Sequence, residues 1–414
     1  MGCEWQLTSL GSVLNLKRGY DLAAREREPG NIPIISSSGM SGLHSRPMVQ
    51  APGVVTGRYG TIGRVHFVEE AFWPLNTTLY VQDFKGNDPR FIYNLLKTIS
   101  YQDYLDKAAV PGINRNDVHK AQVFLPPLAE QRKISATLTA LDDRISSLQA
   151  HGATLEKVAQ TIFKSWFVDF DPVRAKAEGR EPEGMDAATA ALFPAVMDAT
   201  GRELTPECWS KENLGALSDV GIGKTPPRGQ SQWFSESKVD TTWVSIRDMG
   251  KSGIYISSSA EFLTREAIRR FNVRIVPNNT VIISFKLTVG RLAITDGELA
   301  TNEAIAHCVL AENARVTPEY LYCALSAFDF TSLASTSSIA EAVNSKTIRD
   351  LAIVVPSKPL VDAFSGLVSP LFRAIKNNQR CAATLAELRD TLLPRLISGK
   401  LRIPEAEKLV EAVL

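Results

Sequence analysis

Apolar and small residues recur at Ile134, Leu138, Leu141, Ile145, Leu148, Gly152, Leu155, Ala159, Ile162 and Trp166, in steps of four and three without interruption. That is the a/d seam of a heptad pattern, and it predicts a long coiled-coil helix. Pro126-Pro127 stand before it, since proline is tolerated in a first helical turn and not inside the helix. Asp171-Pro172 ends it, because the residue before a proline is pushed out of the α region. At about 1.5 Å per residue the seam from Ile134 to Trp166 is roughly 48 Å long. An ordinary buried helix would show the same period, but few core helices run this far.

The pattern returns 230 positions later, at Phe364, Val368, Leu371, Ile375, Asn378, Ala382, Leu385, Arg389, Leu392 and Leu396. Asn114 and Pro126 recur as Asn344 and Pro356 at the same offset. Asn378 and Arg389 are polar at seam positions. Either they fix register at a cost in stability, or they face solvent or a partner. Pro370 inside this second run predicts a kink or break near Ser369. Gly399 offers a helix C-terminus.

The segments before each helix alternate short apolar runs with turn signals, as an α+β domain would. Gly53–Thr56 and Val65–Val68 predict a hairpin whose tip carries Arg58, Tyr59 and Arg64. Ser36 to Gly42 reads as a flexible polar loop, Asn76–Val81 as a strand and Arg90–Leu96 as a helix. Val281–Leu292 overlays Val54–Val65 at an offset of 227, so Lys286 and Arg291 occupy the equivalent tip. Trp209 and Leu214-Gly215 match Trp5 and Leu10-Gly11 at an offset of 204. The offset grows along the second copy, which therefore carries extra residues in its loops while keeping the scaffold. The expected order is a globular domain over 1–125, a long helix over 126–170, a partly ordered connector over 171–204 with a short helix over Ala187–Met197, a second domain over 205–355, a second long helix over 356–400, and a short tail over 401–414. The fold class is α+β: two globular domains separated by two long antiparallel coiled-coil helices, arising by duplication.

Composition changes this picture little. The net charge is +1, so any nucleic-acid surface has to be a local one. Arg265, Arg269, Arg270 and Arg274 form a basic face on a predicted short helix that starts at Thr264. With the two tips they are the candidate DNA contacts, since arginine and lysine there can reach phosphates or guanine edges. The glycine beside each tip arginine, Gly63 or Gly290, has a purely structural reading as well, in backbone conformation. Cys3, Cys208, Cys308, Cys323 and Cys381 are scattered without a CxxC pair, and His44, His66, His119, His151 and His307 lack metal-ligand spacing. Gly221-Ile222-Gly223-Lys224-Thr225 resembles the end of a P-loop, but Ser218 stands at the first glycine position and Pro226-Pro227 follow where a helix should begin. Glu236-Ser237-Lys238 has a nuclease-like form that a solvated loop explains better, and Asp171-Pro172 lacks the rest of an adenine-methylation motif. No catalytic constellation and no metal site emerges. The absence of a signal-like N-terminus or a membrane-length apolar run predicts a cytoplasmic protein with no membrane partner.

Three stretches carry a family resemblance: Leu125-Pro126-Pro127-Leu128-Ala129-Glu130-Gln131-Arg132-Lys133-Ile134, then Ile162-Phe163-Lys164-Ser165-Trp166-Phe167-Val168-Asp169-Phe170-Asp171-Pro172-Val173, then Leu392-Leu393-Pro394-Arg395-Leu396-Ile397-Ser398-Gly399-Lys400-Leu401. With the duplicated order, the chain resembles the specificity (S) subunit of type I restriction–modification systems. The resemblance implies two target recognition domains, each reading half of a bipartite, asymmetric site on double-stranded DNA. It implies that the long helices act as a spacer and as a platform for two modification (methyltransferase) subunits, which restriction/translocase subunits then join. S-adenosylmethionine would belong to the methyltransferase, ATP and Mg to the restriction subunit, and no catalysis or cofactor to this chain. An S-like subunit serving a fused methylase–nuclease would read the same, an enzyme with an unrecognised site is another alternative, and a non-DNA coiled-coil adaptor is the last. Salt-steep, sequence-dependent DNA binding separates that last one.

Overall fold

The computed structural model describes residues 5–105, 111–198, 205–331 and 344–412. The chain forms two compact units, Met1–Ser147 with Cys381–Leu414, and Leu148–Arg380. In the first, an antiparallel sheet runs in the spatial order Asn15–Arg18, Thr78–Asp83, Gly53–Gly57, Val65–Val68. The apolar run Val54-Val55 is wholly buried because the helix Pro89–Lys97 packs on its strand. A smaller sheet places Ile32–Ser36 between Gly39–His44, antiparallel, and Trp73–Pro74, parallel. Ser36 to Gly42 is therefore not a loop. It is a hairpin turning at Ser37-Ser38, with the glycines Gly39 and Gly42 at φ of 121° and 147° inside the returning strand.

The second unit repeats this plan. Asp219–Ile222, Ile305–Val309, Val281–Ser284 and Leu292–Thr295 lie in the same spatial order, with Tyr255–Ile256 added in parallel at the edge. The parallel pair recurs as Thr241–Val244 beside Ala300–Thr301. Between Ile222 and Val281, where the offset grows, the strands Tyr255–Ile256 and Glu261–Leu263 and the helix Arg265–Arg270 are found. Asn114 and Asn344 recur because each caps a short helix, Arg115–Val118 and Ser345–Arg349, just before the strand that leads into a long helix.

The long helices are Leu128–Phe167 and Lys358–Ile397, each of 40 residues. Within both units they run antiparallel. In the first unit Arg389 Nη1 donates to Asp142 Oδ1 at 2.6 Å, and in the second Asn378 Nδ2 lies 3.2 Å from His151 Nδ1. The polar seam residues thus face the other helix, so the seam is correctly placed there. Ile134, Leu138, Leu141, Ile145, Leu148, Trp166, Phe364, Val368, Ile375, Leu385, Leu392 and Leu396 are buried. Leu155, Ile162 and Leu371 are partly buried against the second unit's core. Phe163 and Phe167, off the seam, are buried too. With Phe364 and Tyr320 they form a ring cluster with centroids 5.1–5.9 Å apart.

Two expectations are corrected here, on Pro370 and on the helix after Ala187, and two segments gain detail. Pro370 does not break the second helix, because buried Val368 and Phe372 on either side hold the backbone to the core. Over the described residues 171–198 of the partly ordered connector, Asp171–Ala177 forms a new helix with proline in its first turn after a left-handed Phe170 (φ 58°), and Val173 and Phe193 join the core. The helix expected over Ala187–Met197 is only Ala187–Ala191. The tail also folds, as the helix Ile403–Glu411 with Ile403 and Ala406 buried.

Each domain is tied to its long helix by the same device. Asp88 caps the helix Pro89–Lys97, and its Oδ1 also accepts from Ser135 Oγ at 2.6 Å. Thr317 caps Pro318–Ser326 and its hydroxyl lies 2.9 Å from Ser365 Oγ, 230 positions after Ser135. The first unit adds Gln131, only 2% exposed. It donates to Asn87 Oδ1 and to the Pro126 carbonyl and accepts from the Asp88 N–H. Beside it, Glu130 accepts from Trp5 Nε1 and from Arg402, which joins the first strand region to the tail. In the second unit Asp296, at the end of a sheet strand, accepts from Arg380 and Lys376 of the second helix at 2.7–2.8 Å.

Replacing Gln131 with leucine keeps its approximate volume and strands the buried Pro126 carbonyl together with two part-buried groups, Asn87 Oδ1 and the Asp88 N–H. We expect a loss of about 2–3 kcal/mol, measurable by denaturant unfolding. Burial alone would raise the pKa of Asp296, but the hydrogen bonds from Arg380 and Lys376 outweigh it and hold the carboxyl below its ordinary value. A depressed folded-state pKa gives stabilisation that is present above the unfolded-state value and lost as pH falls through the folded one. The wild-type chain should therefore lose stability below about pH 4, and Asp296→Asn should be less stable at neutral pH with a flatter acid limb.

Candidate nucleic-acid interface

The two hairpin tips are built alike. The Gly57 N–H donates to the Arg64 carbonyl at 3.0 Å, and the Ser284 N–H to the Arg291 carbonyl at 2.9 Å. Gly63 and Gly290 sit at φ of 77° and 87°, and a Cβ on either would collide with a ring, Tyr101 or Phe330. Their recurrence is thus explained by backbone conformation and close packing, as one of the two sequence readings held.

The side chains differ. Arg64 is exposed and in no ion pair with a described residue. Arg58 is half-buried, with its guanidinium 4.6 Å over the Tyr59 ring. Tyr59 lies flat on Gly112, and its backbone bonds to Thr77, so it is largely a packing residue. The Ser37-Ser38 turn approaches the same tip, with the Ser37 hydroxyl beside Gly60 and the Ser37 carbonyl 3.4 Å from His66 Nε2. Met40, on the strand that follows, is 64% exposed. These neighbours were missed by reading 36–42 as a loop.

In the second unit Lys286 is exposed at the tip, 5.7 Å from the Phe285 ring centre. Arg291 is not free: it is half-buried, its Nη1 donates to the Ile246 carbonyl at 2.9 Å, and it packs on Gly250. The predicted arginine face is real but shorter than expected. Arg265 and Arg269 are exposed on Arg265–Arg270, and Arg270 stacks 5.2 Å over Trp233. The helix stops before Asn272, at φ 48°, so Arg274 leaves that face and pairs with Asp219 at 2.6 Å. This helix packs through Ala267 on a small core of Trp233, Trp243, Leu263, Val273 and Ala300, whereas the tip extends from the larger sheet. The structure gathers Arg58, Tyr59 and Arg64 on one tip, and Lys286 and Arg291 on the other. It places the arginine helix on a separate element of the second unit.

The remaining motifs resolve locally. Asp219–Ile222 is a strand that runs on into Gly223, where a Cβ would collide with Thr301 and Asn302, and the next element is a single turn, Ser231–Trp233. A phosphate-binding helix N-terminus is not formed there. Glu236-Ser237-Lys238 lies in an exposed loop. His307 is buried, and burial, with Arg274 nearby, pushes its pKa down to about 3, so the ring is neutral. It bonds Thr301 Oγ1 at 2.6 Å. Among the described residues no group of His, Cys, Asp or Glu could hold a metal ion, and no helix is long and apolar enough to cross a membrane. Cys3 lies outside the described residues.

The chain is thus a duplicated α+β scaffold with divergent loop tips and two long paired helices. The family model for the type I restriction modification DNA specificity domain matches residues 3–157 and again 206–363, and the chain belongs to that family. It is 28% identical over 361 residues to the HindI specificity subunit of Haemophilus influenzae, covering 76% of this chain and 77% of that protein. It is 25% identical over 364 residues to the MjaIX specificity subunit of Methanocaldococcus jannaschii, covering 82% and 76%. The crystal structure of the type I S subunit from M. genitalium shares the fold, with a TM-score of 0.54 over 95% of this chain and 96% of that one at 16% identity.

The equivalent arginines should separate cleanly. Arg291→Ala removes a buried-side hydrogen bond and packing, and should cost about 1–2 kcal/mol. Arg64→Ala should change stability by no more than about 0.5 kcal/mol. Thermal unfolding of the two variants checks this.

Proposed function

We propose that this chain is the DNA-reading component of a type I restriction–modification complex. Each sheet domain reads one half of a bipartite, asymmetric site on double-stranded DNA. The long helices set the gap between the half-sites and dock two methyltransferase subunits, to which restriction/translocase subunits bind. S-adenosylmethionine serves the methyltransferase, and ATP and Mg serve the restriction subunit; this chain contributes recognition and no catalysis.

The observation that carries this reading is the pair of equivalent tips. Each presents an exposed cation, Arg64 or Lys286, in no ion pair with a described residue, while the loops around the tips differ. A repeated scaffold with a charged tip and divergent loops suits two different base sequences on one polyanion. The named relatives support a type I partner over a fused methylase–nuclease. The family match weighs against a non-DNA adaptor.

The test is co-expression with a type I methyltransferase subunit, followed by mapping of adenine methylation in genomic DNA. One bipartite motif that depends on this chain is expected. Because the helices pair antiparallel, a length change has to be made in both, so one heptad is inserted beside Leu148 and another beside Ala382. Each adds about 10.5 Å, or roughly three base pairs of B-DNA. The mapped gap should lengthen by about that amount with both half-sites unchanged. Altered half-sites with an unchanged gap would overturn the spacer role.

A further inference from the structure

Leu287 is the residue at the second tip that no described residue of its own unit explains. It is 99% exposed. Its φ is +60°, and the Lys286 carbonyl accepts from the Thr288 N–H at 2.7 Å, closing a three-residue turn around it. A γ-turn with positive φ at its centre is the rarer and more strained of the two kinds, and a branched side chain raises its cost. At the aligned position of the first unit stands Gly60, also at positive φ (74°), where no such cost arises. The strain is held by a rigid base. Ser284 Oγ donates to the Thr288 carbonyl at 2.5 Å and accepts from the Arg291 N–H at 3.0 Å, and the Phe285 N–H is bonded to the Ala304 carbonyl. A large apolar side chain is thus pushed out of a fixed turn into water, at a position where glycine would be easier.

Backbone strain that the surroundings enforce marks functional positions, and among the described residues the side chain, 99% exposed, has no contact that repays it. Its neighbour Lys286 is an exposed cation. A polyanion with an apolar feature a few ångströms inside its charged rim matches the pair. In the DNA major groove that feature is the thymine 5-methyl group, the one apolar mark on a base edge. Resting on the DNA-recognition reading above, we propose that Leu287 is a specificity-determining residue of the second domain that contacts a thymine methyl group, with Lys286 on the adjoining phosphate.

The experiment uses the complex with the methyltransferase subunit and duplexes carrying the mapped motif. Each thymine of the two half-sites is replaced in turn by deoxyuridine, which lacks only the methyl group. For the wild-type complex, one substitution in one half-site should weaken binding about fourfold, the value of one buried methyl-sized group. Leu287→Gly should bind the unmodified motif more weakly by at least that factor and show no deoxyuridine effect at that position. Its melting temperature should be equal to or above that of the wild type, since the strain is relieved. Equal binding by Leu287→Gly, deoxyuridine sensitivity retained in the variant, or weaker binding with no wild-type sensitivity at any thymine would each overturn the thymine contact. A lowered melting temperature would make Leu287 a structural residue and overturn it too. Failure of the wild-type complex to prefer its motif over unrelated DNA is a separate result, and it would remove the recognition reading itself.

Discussion

A helix with an apolar stripe along one side has to cover that stripe, and within each unit the two long helices do so against each other. Neither would be stable alone in water at this length without tertiary packing, because propensity contributes little beside the burial of an amphipathic face. Covering the stripe is not sufficient to fix the alignment, since a heptad seam can slip by a repeat with most apolar contacts re-formed. Arg389 with Asp142 in the first unit, and Asn378 with His151 in the second, remove that freedom. A slip by one repeat would bring Ser135 or Gln149 to the place of Asp142 and take from the half-buried guanidinium its carboxylate on the other helix. The ion pair adds little to stability where solvent still reaches it, so its role lies in alignment.

The recognition-type domains hang from this frame through hydrogen bonds as well as through apolar contact. Asp88 and Thr317 each serve twice, capping a helix of their own domain and bonding a serine of the long helix. The cap satisfies helix donors that would otherwise lack partners, and the second bond orients that helix against the frame. Since that helix packs on the hairpin strands in the first unit, a shift of the cap would move the tip with it. Positioning of a loop more than one layer away is thus carried by a short chain of part-buried polar contacts, which are directional where apolar ones are not.

The frame was legible in the sequence because it obeys a period. Ile134 to Trp166 and its echo at Phe364 to Leu396 announce themselves by spacing, and the apolar run Val281–Ile283 announces a buried strand. What the sequence concealed obeys no period. Ser36 to Gly42 looks like a loop because its residues are small and polar, yet two glycines let the strand return at positive φ. The helix Asp171–Ala177 was hidden by Pro172, which reads as a helix end but stands in the first turn of the new helix, while the long helix already ends at Phe167, ahead of the left-handed Phe170. Pro370 looked like a break because the rule for prolines treats the helix in isolation, whereas Val368 and Phe372 are anchored in a core. Among the candidate contacts, Arg274 and Arg291 could not be told from Arg64 by residue type. Only Asp219 and the Ile246 carbonyl, both distant in sequence, show that they are engaged.

Arg64 and Arg291 stand in the same register of the same hairpin, and one points to water while the other braces the fold. The difference follows from the added residues of the second copy, whose wider framework around Ile246 and Gly250 captures the guanidinium. Once that cation is taken up, the tip's exposed character passes to Lys286 and Leu287, where the first copy has Tyr59 packed on Gly112 and then Gly60. Duplication therefore preserved the hydrogen bonds that shape the turn and exchanged the side chains that leave it. The turn-forming contacts common to both copies, from Gly57 and Ser284 to the carbonyls of Arg64 and Arg291, are made by the backbone and, apart from Gly63 and Gly290, put no demand on the side chains that leave the tip. That independence allows one tip to be basic and polar and the other basic and apolar without disturbing the sheet beneath either.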